Sequence, residues 1–162
     1  MRLQLEKLRL VNFKRIRFME VIFSMITNIL GKNEAGKTSM MDAFLWLLFD
    51  KDSSGKSDFS IKTLDANNQP YHRLEHEVSA WFDLDGQKIN LRKVLKEKWV
   101  TPRGQKDEIF DGHSKSYFWN EVPMKESEYQ AEVGKLINEN LFRLITDTTY
   151  FNSLKWEDRR NV

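Results

Sequence analysis

Apolar and polar positions alternate from the start of the chain. Leu3, Leu5, Leu8, Leu10 and Val11 predict a first strand and Phe18 to Phe23 a second, joined through Asn12 to Arg17. A short apolar run rich in β-branched residues, Ile26, Ile29 and Leu30, predicts a third strand over Ile26 to Leu30. From Lys37 to Phe49 the pattern changes: Met40, Met41, Ala43, Phe44, Leu45, Trp46, Leu47, Leu48 and Phe49 leave almost no polar side, which predicts a central, enclosed helix. Asp50 to Asp58, with Ser53, Ser54 and Gly55, is a polar surface connection. Alternation returns at Val78, Ala80, Phe82 and Leu84. It turns at Asp85-Gly86 and resumes at Ile89, Leu91, Val94 and Leu95, the pattern of a β-hairpin. Pro102 breaks it, and Ile109 to Trp119 predicts further short strands around an Asp111-Gly112 turn. Pro123 is expected to open a helical region. Tyr129, Val133, Leu136, Ile137, Leu141 and Leu144 then recur every three or four residues, giving one or two amphipathic helices over Glu126 to Leu144. A last helix is expected from Ser153 as N-cap through Trp156 to Arg160. The fold class this predicts is α/β, an antiparallel β lobe beside the start of a parallel sheet, with the Lys37 to Phe49 helix in the middle.

The junction between the third predicted strand and that helix carries the sharpest chemical signal. Gly31-Lys32-Asn33-Glu34-Ala35-Gly36-Lys37-Thr38 fits G-x-x-x-x-G-K-[ST], a loop whose backbone curls around phosphate. Gly31 and Gly36 permit the curl, and successive N–H groups then point inward as an anion nest that the helix N-terminus continues. Lys37 brings a mobile positive charge to the β- and γ-phosphates, and the Thr38 hydroxyl is placed to complete the coordination of a phosphate-bound Mg²⁺, with Ser39 behind it. Lys32, Asn33, Glu34 and Ala35 contribute mainly their amides, and the Glu34 carboxylate must point away from a triphosphate. The expected ligands are therefore ATP and Mg²⁺.

With 162 residues, the chain is long enough to bury a full core. It has no cysteine and no apolar run long enough to cross a bilayer, so a reducing, cytoplasmic setting without a membrane partner is expected. A net charge of +2 is too small to identify a polyanionic partner.

Leu10-Val11-Asn12-Phe13-Lys14, the run Ile26 to Leu30 and the loop Gly31 to Thr38 resemble the N-terminal half of an SMC/RecF/SbcC-type ATPase head. Lys96-Glu97-Lys98-Trp99, Tyr150-Phe151-Asn152-Ser153-Leu154 and Trp156-Glu157-Asp158-Arg159-Arg160 are similar to phage and bacterial members of this repair-ATPase group. The resemblance implies that residues 1–162 form one lobe of a head, incomplete without a C-terminal half. It implies ATP binding in DNA repair or recombination, with hydrolysis needing that second half and a partner head. Double-stranded DNA, a head dimer and a nuclease subunit are the implied partners. Lys14 and Arg15 would lie near the nucleotide, and Asn152 would stand where the family has a metal-directed glutamine. The family's Leu-Ser-Gly-Gly signature and its strand ending in Asp-Glu are not found here. Asp50 ends an apolar run but lies about 18 Å along the helix from the phosphates, and Asp83 sits on a hairpin arm. Two other functional classes remain open on sequence: a transporter-type nucleotide-binding subunit, and a DNA-binding module that uses nucleotide as a structural ligand.

Three further constellations carry less. His72-Arg73-Leu74-Glu75-His76 has the order of a zinc-peptidase motif, but Pro70 before it and a strand after it deny the helix that motif needs. Gly55-Lys56-Ser57 lacks the first glycine of a second phosphate loop and is a polar turn. Arg92, Lys93, Lys96, Lys98, Arg103 and Lys106 with Trp99 form a basic patch with an aromatic on the hairpin; a solvated hairpin face is favoured over a DNA contact.

Overall fold

The computed structural model describes residues 2–32, 36–65, 67, 69–104, 106–146 and 150–160. Six strands form one sheet in the order β2-β1-β3-β4-β5-β6. They are β1 (Leu3–Phe13), β2 (Ile16–Ile22), β3 (His76–Leu84), β4 (Gln87–Val100), β5 (Ile109–Trp119) and β6 (Val122–Met124). Every pairing is antiparallel. The helices are α1 (Lys37–Phe49), α2 (Glu126–Leu136), α3 (Glu139–Thr146), α4 (Tyr150–Ser153) and α5 (Trp156–Arg159). The helical pattern expected over Glu126 to Leu144 is thus two helices, and Pro123, expected to open it, lies in β6. None of the described helices is long and apolar enough to cross a membrane.

One face of the sheet carries the core. Register places Leu8 opposite Ala80 and Leu10 opposite Val78, with Phe82 opposite Ile89 and Ala80 opposite Leu91. Against this face lies α1, whose Met40, Ala43, Trp46, Leu47 and Leu48 are buried with them, so the enclosed helix expected from its apolar surface is found. The phase change between Leu5 and Leu8 is a β-bulge between Leu5 and Lys7, which returns both leucine pairs to the core side. The Asp85-Gly86 hairpin is present, with both residues at positive φ (50° and 90°) as a two-residue turn of this twist requires.

Two expected elements differ. Asp111-Gly112 is no turn: β5 runs through it, and Gly112 at φ 95° lies where the register with β4 shifts between Glu97 and Trp99. The glycine supplies a bulge rather than a reversal. The strand expected over Ile26 to Leu30 is irregular backbone with its apolar side chains in solvent; Leu30 is 90% exposed and Ile26 79%. A β-branched run becomes a strand only when another strand satisfies its N–H and C=O groups, and among the described residues none pairs with it. The parallel element expected of the sheet is therefore missing from these residues.

Candidate phosphate-binding site

The site is built where α1 begins. Its N-cap is Gly36, in the left-handed region at φ 97° and ψ 10°, and no side chain caps the first turn, which also contains no acidic residue. A helix start left open in this way presents its first N–H groups and the positive end of its dipole to an anion. Gly36 is also packed closely, since a Cβ there would come within 3.3 Å of Ile16 Cδ1. The Lys37 ammonium turns back over its own loop, donating to the carbonyl of Gly31 and, at 3.0 Å, to that of Lys32. Lys37 and Thr38 are exposed and Ser39 is half-buried. Asn33, Glu34 and Ala35, expected to line the loop through their amides, lie outside the described residues. The parts that are described fit a phosphate group: an uncapped helix start, a left-handed glycine, a lysine over the loop and the exposed side chain of Thr38. Among the described residues no group of His, Cys, Asp or Glu is arranged to hold a metal by itself, so a cation here would depend on the phosphates and Thr38.

Two hollows flank the start of α1. One, of about 310 Å³, is mostly apolar and runs between Met19 and Val21 of β2, Ile29, Leu30 and Met40. The other, of about 340 Å³, is lined by Lys14, Arg15, Ser39, Ser60, Lys62 and Leu64. Lys14 and Arg15, expected near the nucleotide, thus share a cleft with the first turn of α1. The Lys14 ammonium is 2.6 Å from Asp42 Oδ2 on α1, and Asp42, itself buried, accepts the Ser53 N–H on its other oxygen at 2.8 Å. The helix thereby fixes both the β1–β2 turn and the connection after Phe49. Asn152 lies exposed on α4, whose Tyr150 hydroxyl donates to Asn140 Oδ1 of α3, and no hydrogen bond among the described residues joins Asn152 to α1.

Two charges of β4 are buried rather than part of the solvated hairpin face expected of them. Lys93, placed in the basic patch, is fully buried under α1. Its ammonium donates to the Trp46 carbonyl at 2.6 Å and to Asp50 Oδ2 at 2.9 Å, amid the rings of Trp46, Tyr117 and Tyr129. Burial pulls its pKa down to about 8 against the attraction of Asp50. Asp50 also accepts Lys115 Nζ at 2.7 Å; burial raises its pKa, but the two lysines outweigh that and hold it below the usual value. Glu97, with its side chain 1% exposed, accepts from Lys62 Nζ (2.5 Å), the Arg73 N–H (2.8 Å), His72 Nδ1 (3.0 Å) and Trp99 Nε1 (3.0 Å). Burial would raise its pKa, but these donors prevail and lower it to about 2. Alternation along Ile89, Leu91, Lys93, Leu95 and Glu97 is the sequence signal that marks both as inward-facing. Elsewhere in the patch, Lys96 pairs with Glu75, Lys98 with Asp111, and Arg92 with Glu77 and Glu121 while stacking on Phe118. These contacts agree with a solvated hairpin face. The His72 to His76 segment is split, His72 bonding Glu97 and His76 opening β3 with Nδ1 donating to the Asn12 carbonyl, so the two rings share no helical face.

Fold and loop together define a P-loop NTPase fold of the SMC-head type. The chain belongs to the AAA domain family, whose match runs over residues 2–157. Among solved structures it is similar to an SMC head domain from Thermotoga maritima (24% identity, 80% of this chain, 41% of that chain, TM-score 0.53). A second is an Smc head domain with coiled coil and joint derived from Pyrococcus yayanosii (20% identity, 93% of this chain, 29% of that chain, TM-score 0.61). A third is the recombination mediator protein RecF with ATP (15% identity, 77% of this chain, 28% of that chain, TM-score 0.51). The resemblance to an SMC/RecF-type head fragment and the P-loop fold class are borne out. The chain spans less than half the length of each of these structures. No curated protein matches it.

Proposed function

We propose that this chain is the ATP-binding lobe of an SMC/SbcC-like head that acts in DNA repair or recombination. The observation that carries the reading is the Lys37 ammonium lying over Gly31 and Lys32 at the uncapped start of a buried helix. In this reading the N–H groups of the loop and of the first turn hold the phosphates. Lys37 moves from the loop carbonyls to the β- and γ-oxygens, and Thr38 joins the coordination of Mg²⁺. Among the described residues none is placed to polarise an attacking water at that point, and in this reading hydrolysis belongs to the complete head and to a partner head facing it. Double-stranded DNA and a nuclease subunit are partners of that larger assembly. The test is calorimetric titration of the chain with Mg-ATP. We expect binding that Lys37→Ala abolishes, and phosphate release near background in both proteins. Unchanged binding by the variant removes the phosphate role, and robust turnover by the chain alone refutes the incomplete site.

A further inference from the structure

The β1–β2 turn is held in a backbone shape that its own residues disfavour. Asn12 and Lys14 both lie in the left-handed region, at φ 52° and 51°, which residues with a Cβ seldom enter. The backbone ladder between β1 and β3 ends at Val11 and Glu77, and beyond it two side chains join the strands. Asn12 Nδ2 donates to the Glu75 carbonyl at 2.9 Å, and His76 Nδ1 donates to the Asn12 carbonyl at 2.5 Å. The Lys14 N–H ties the turn to the Ile61 carbonyl at 2.8 Å, and the Lys14 ammonium ties it to Asp42. Of these ties only the one from His76 runs through an imidazole, the side chain whose charge ordinarily changes between about pH 5 and 8. His76 is 1% exposed. A carbonyl can only accept, so Nδ1 carries the proton of the neutral ring, and Nε2 is a buried lone pair with no partner among the described residues. A second proton would therefore sit on a buried donor without an acceptor, in a cationic ring. The charged and titratable groups facing that ring are Lys62 of the 61–63 segment, Glu97 of β4 and His113 of β5. Glu97 is already engaged by four donors. Burial, helped by Lys62, outweighs the Asn12 carbonyl and Glu97 and holds the His76 pKa below the ordinary 6.5.

We infer that His76 is an acid-sensitive latch on the β1–β2 turn: neutral, it pins Asn12, and protonated, it leaves its buried place and frees the turn that carries Lys14 and Arg15. Any state that exposes the ring takes up the second proton more readily than the latched state does, so the latch loosens as pH falls below about 6.5. Glu97, ionised down to about pH 2, keeps its charge throughout that window. The test is amide hydrogen exchange followed by heteronuclear NMR on the full chain at about pH 7.5 and about pH 5.5, read as the protection of the Lys14 N–H after correction for intrinsic exchange. We expect that protection to fall severalfold at the lower pH, by no more than about tenfold for a single proton, while the amides of β4 keep theirs. His76→Asn sets an amide N–H where the ring N–H stood and has no proton to gain, so it keeps the tie and removes the pH dependence. His72→Gln and His113→Gln, which change the other two histidines of the chain, leave the fall in place. No fall in wild type, an equal fall in His76→Asn, or its disappearance in His72→Gln or His113→Gln overturns the latch. A matching loss across the β4 amides means global unfolding and overturns it too. If His76→Asn fails to fold, which a thermal melt reveals, the ring signals of wild-type His76 decide. They must show the Nδ1–H tautomer at the higher pH and a second proton gained in step with the change at Lys14; the other tautomer, or titration out of step, overturns the inference.

Discussion

Two charged side chains of β4 are withdrawn from water, and their environments move their proton affinities in opposite senses for stability. Glu97 ionises more readily in the fold than in the unfolded chain, from 4.5 down to about 2. Its contribution is therefore fully present above about pH 4.5 and is lost as pH falls through about 2. Lys93 holds its proton less well in the fold, from 10.5 down to about 8, so it opposes folding below pH 8 and stability rises from about pH 8 through 10.5. The groups facing Lys93 are Asp50, Lys115, Glu126, Tyr117 and Tyr129, and both tyrosines are shifted upward by burial first, which keeps them protonated in that window. Denaturant melts across pH should show the alkaline rise in wild type and its disappearance in Lys93→Met. Glu97→Gln should cost about 1–3 kcal/mol at pH 7 and flatten the acid limb, since one buried acceptor site turns into a donor facing donors. An alkaline rise that persists in Lys93→Met would place its origin elsewhere.

At the scale of elements, α1 is fixed at both ends by different chemistry. Its C-terminal carbonyl at Trp46 receives the Lys93 ammonium, and Asp50 closes the last turn in left-handed backbone with its N–H on that same carbonyl. Its N-terminal end is left to Gly36. Gly36→Ala introduces a side chain at φ 97° and sets its Cβ 3.3 Å from Ile16 Cδ1. The strain is about 1–2 kcal/mol, and relieving it would rotate the first N–H groups out of the nest. We expect a modest fall in melting temperature but loss of most ATP affinity, and Ile16→Val, which eases the contact and leaves φ alone, should not restore binding. Recovery of affinity on adding Ile16→Val would make the close contact, not the backbone, the cause. Much of this architecture was legible beforehand. The loop motif, the apolar surface of α1 and the Asp85-Gly86 turn are each local patterns whose geometry follows from a few adjacent residues. What escaped needed long-range partners. Lys93 and Glu97 are in phase with Leu91 and Leu95, yet a charged residue in a strand is ordinarily at the surface, and only α1 and the 61–73 segment explain their burial. Asp111-Gly112 has the composition of a turn, and only the register against β4 makes it a bulge.

For the whole molecule, the informative feature is an apolar strip along one edge of the sheet. β2 is the edge strand, and beside Phe18 and Ile22 on it, Met25, Ile26 and Leu30 in the segment leading to the phosphate loop all stand in solvent. An edge strand flanked by exposed apolar side chains is a template for further pairing or for association. The strip adjoins a site that the proposed function takes to be half complete, and the chain spans 41% or less of the head structures it resembles. In our reading the strip is the seam against which the rest of a head packs, and the irregular Ile26 to Leu30 run becomes a strand there. Two measurements on the chain alone test the premise. Ile26→Asp with Leu30→Asp should leave the melting temperature within about 2 °C of wild type, because neither side chain supports the core. The same pair of changes should reduce concentration-dependent association in sedimentation, because each places a charge in an apolar strip. A large drop in melting temperature would show that these side chains already belong to a packed interior, and the seam would have to lie elsewhere.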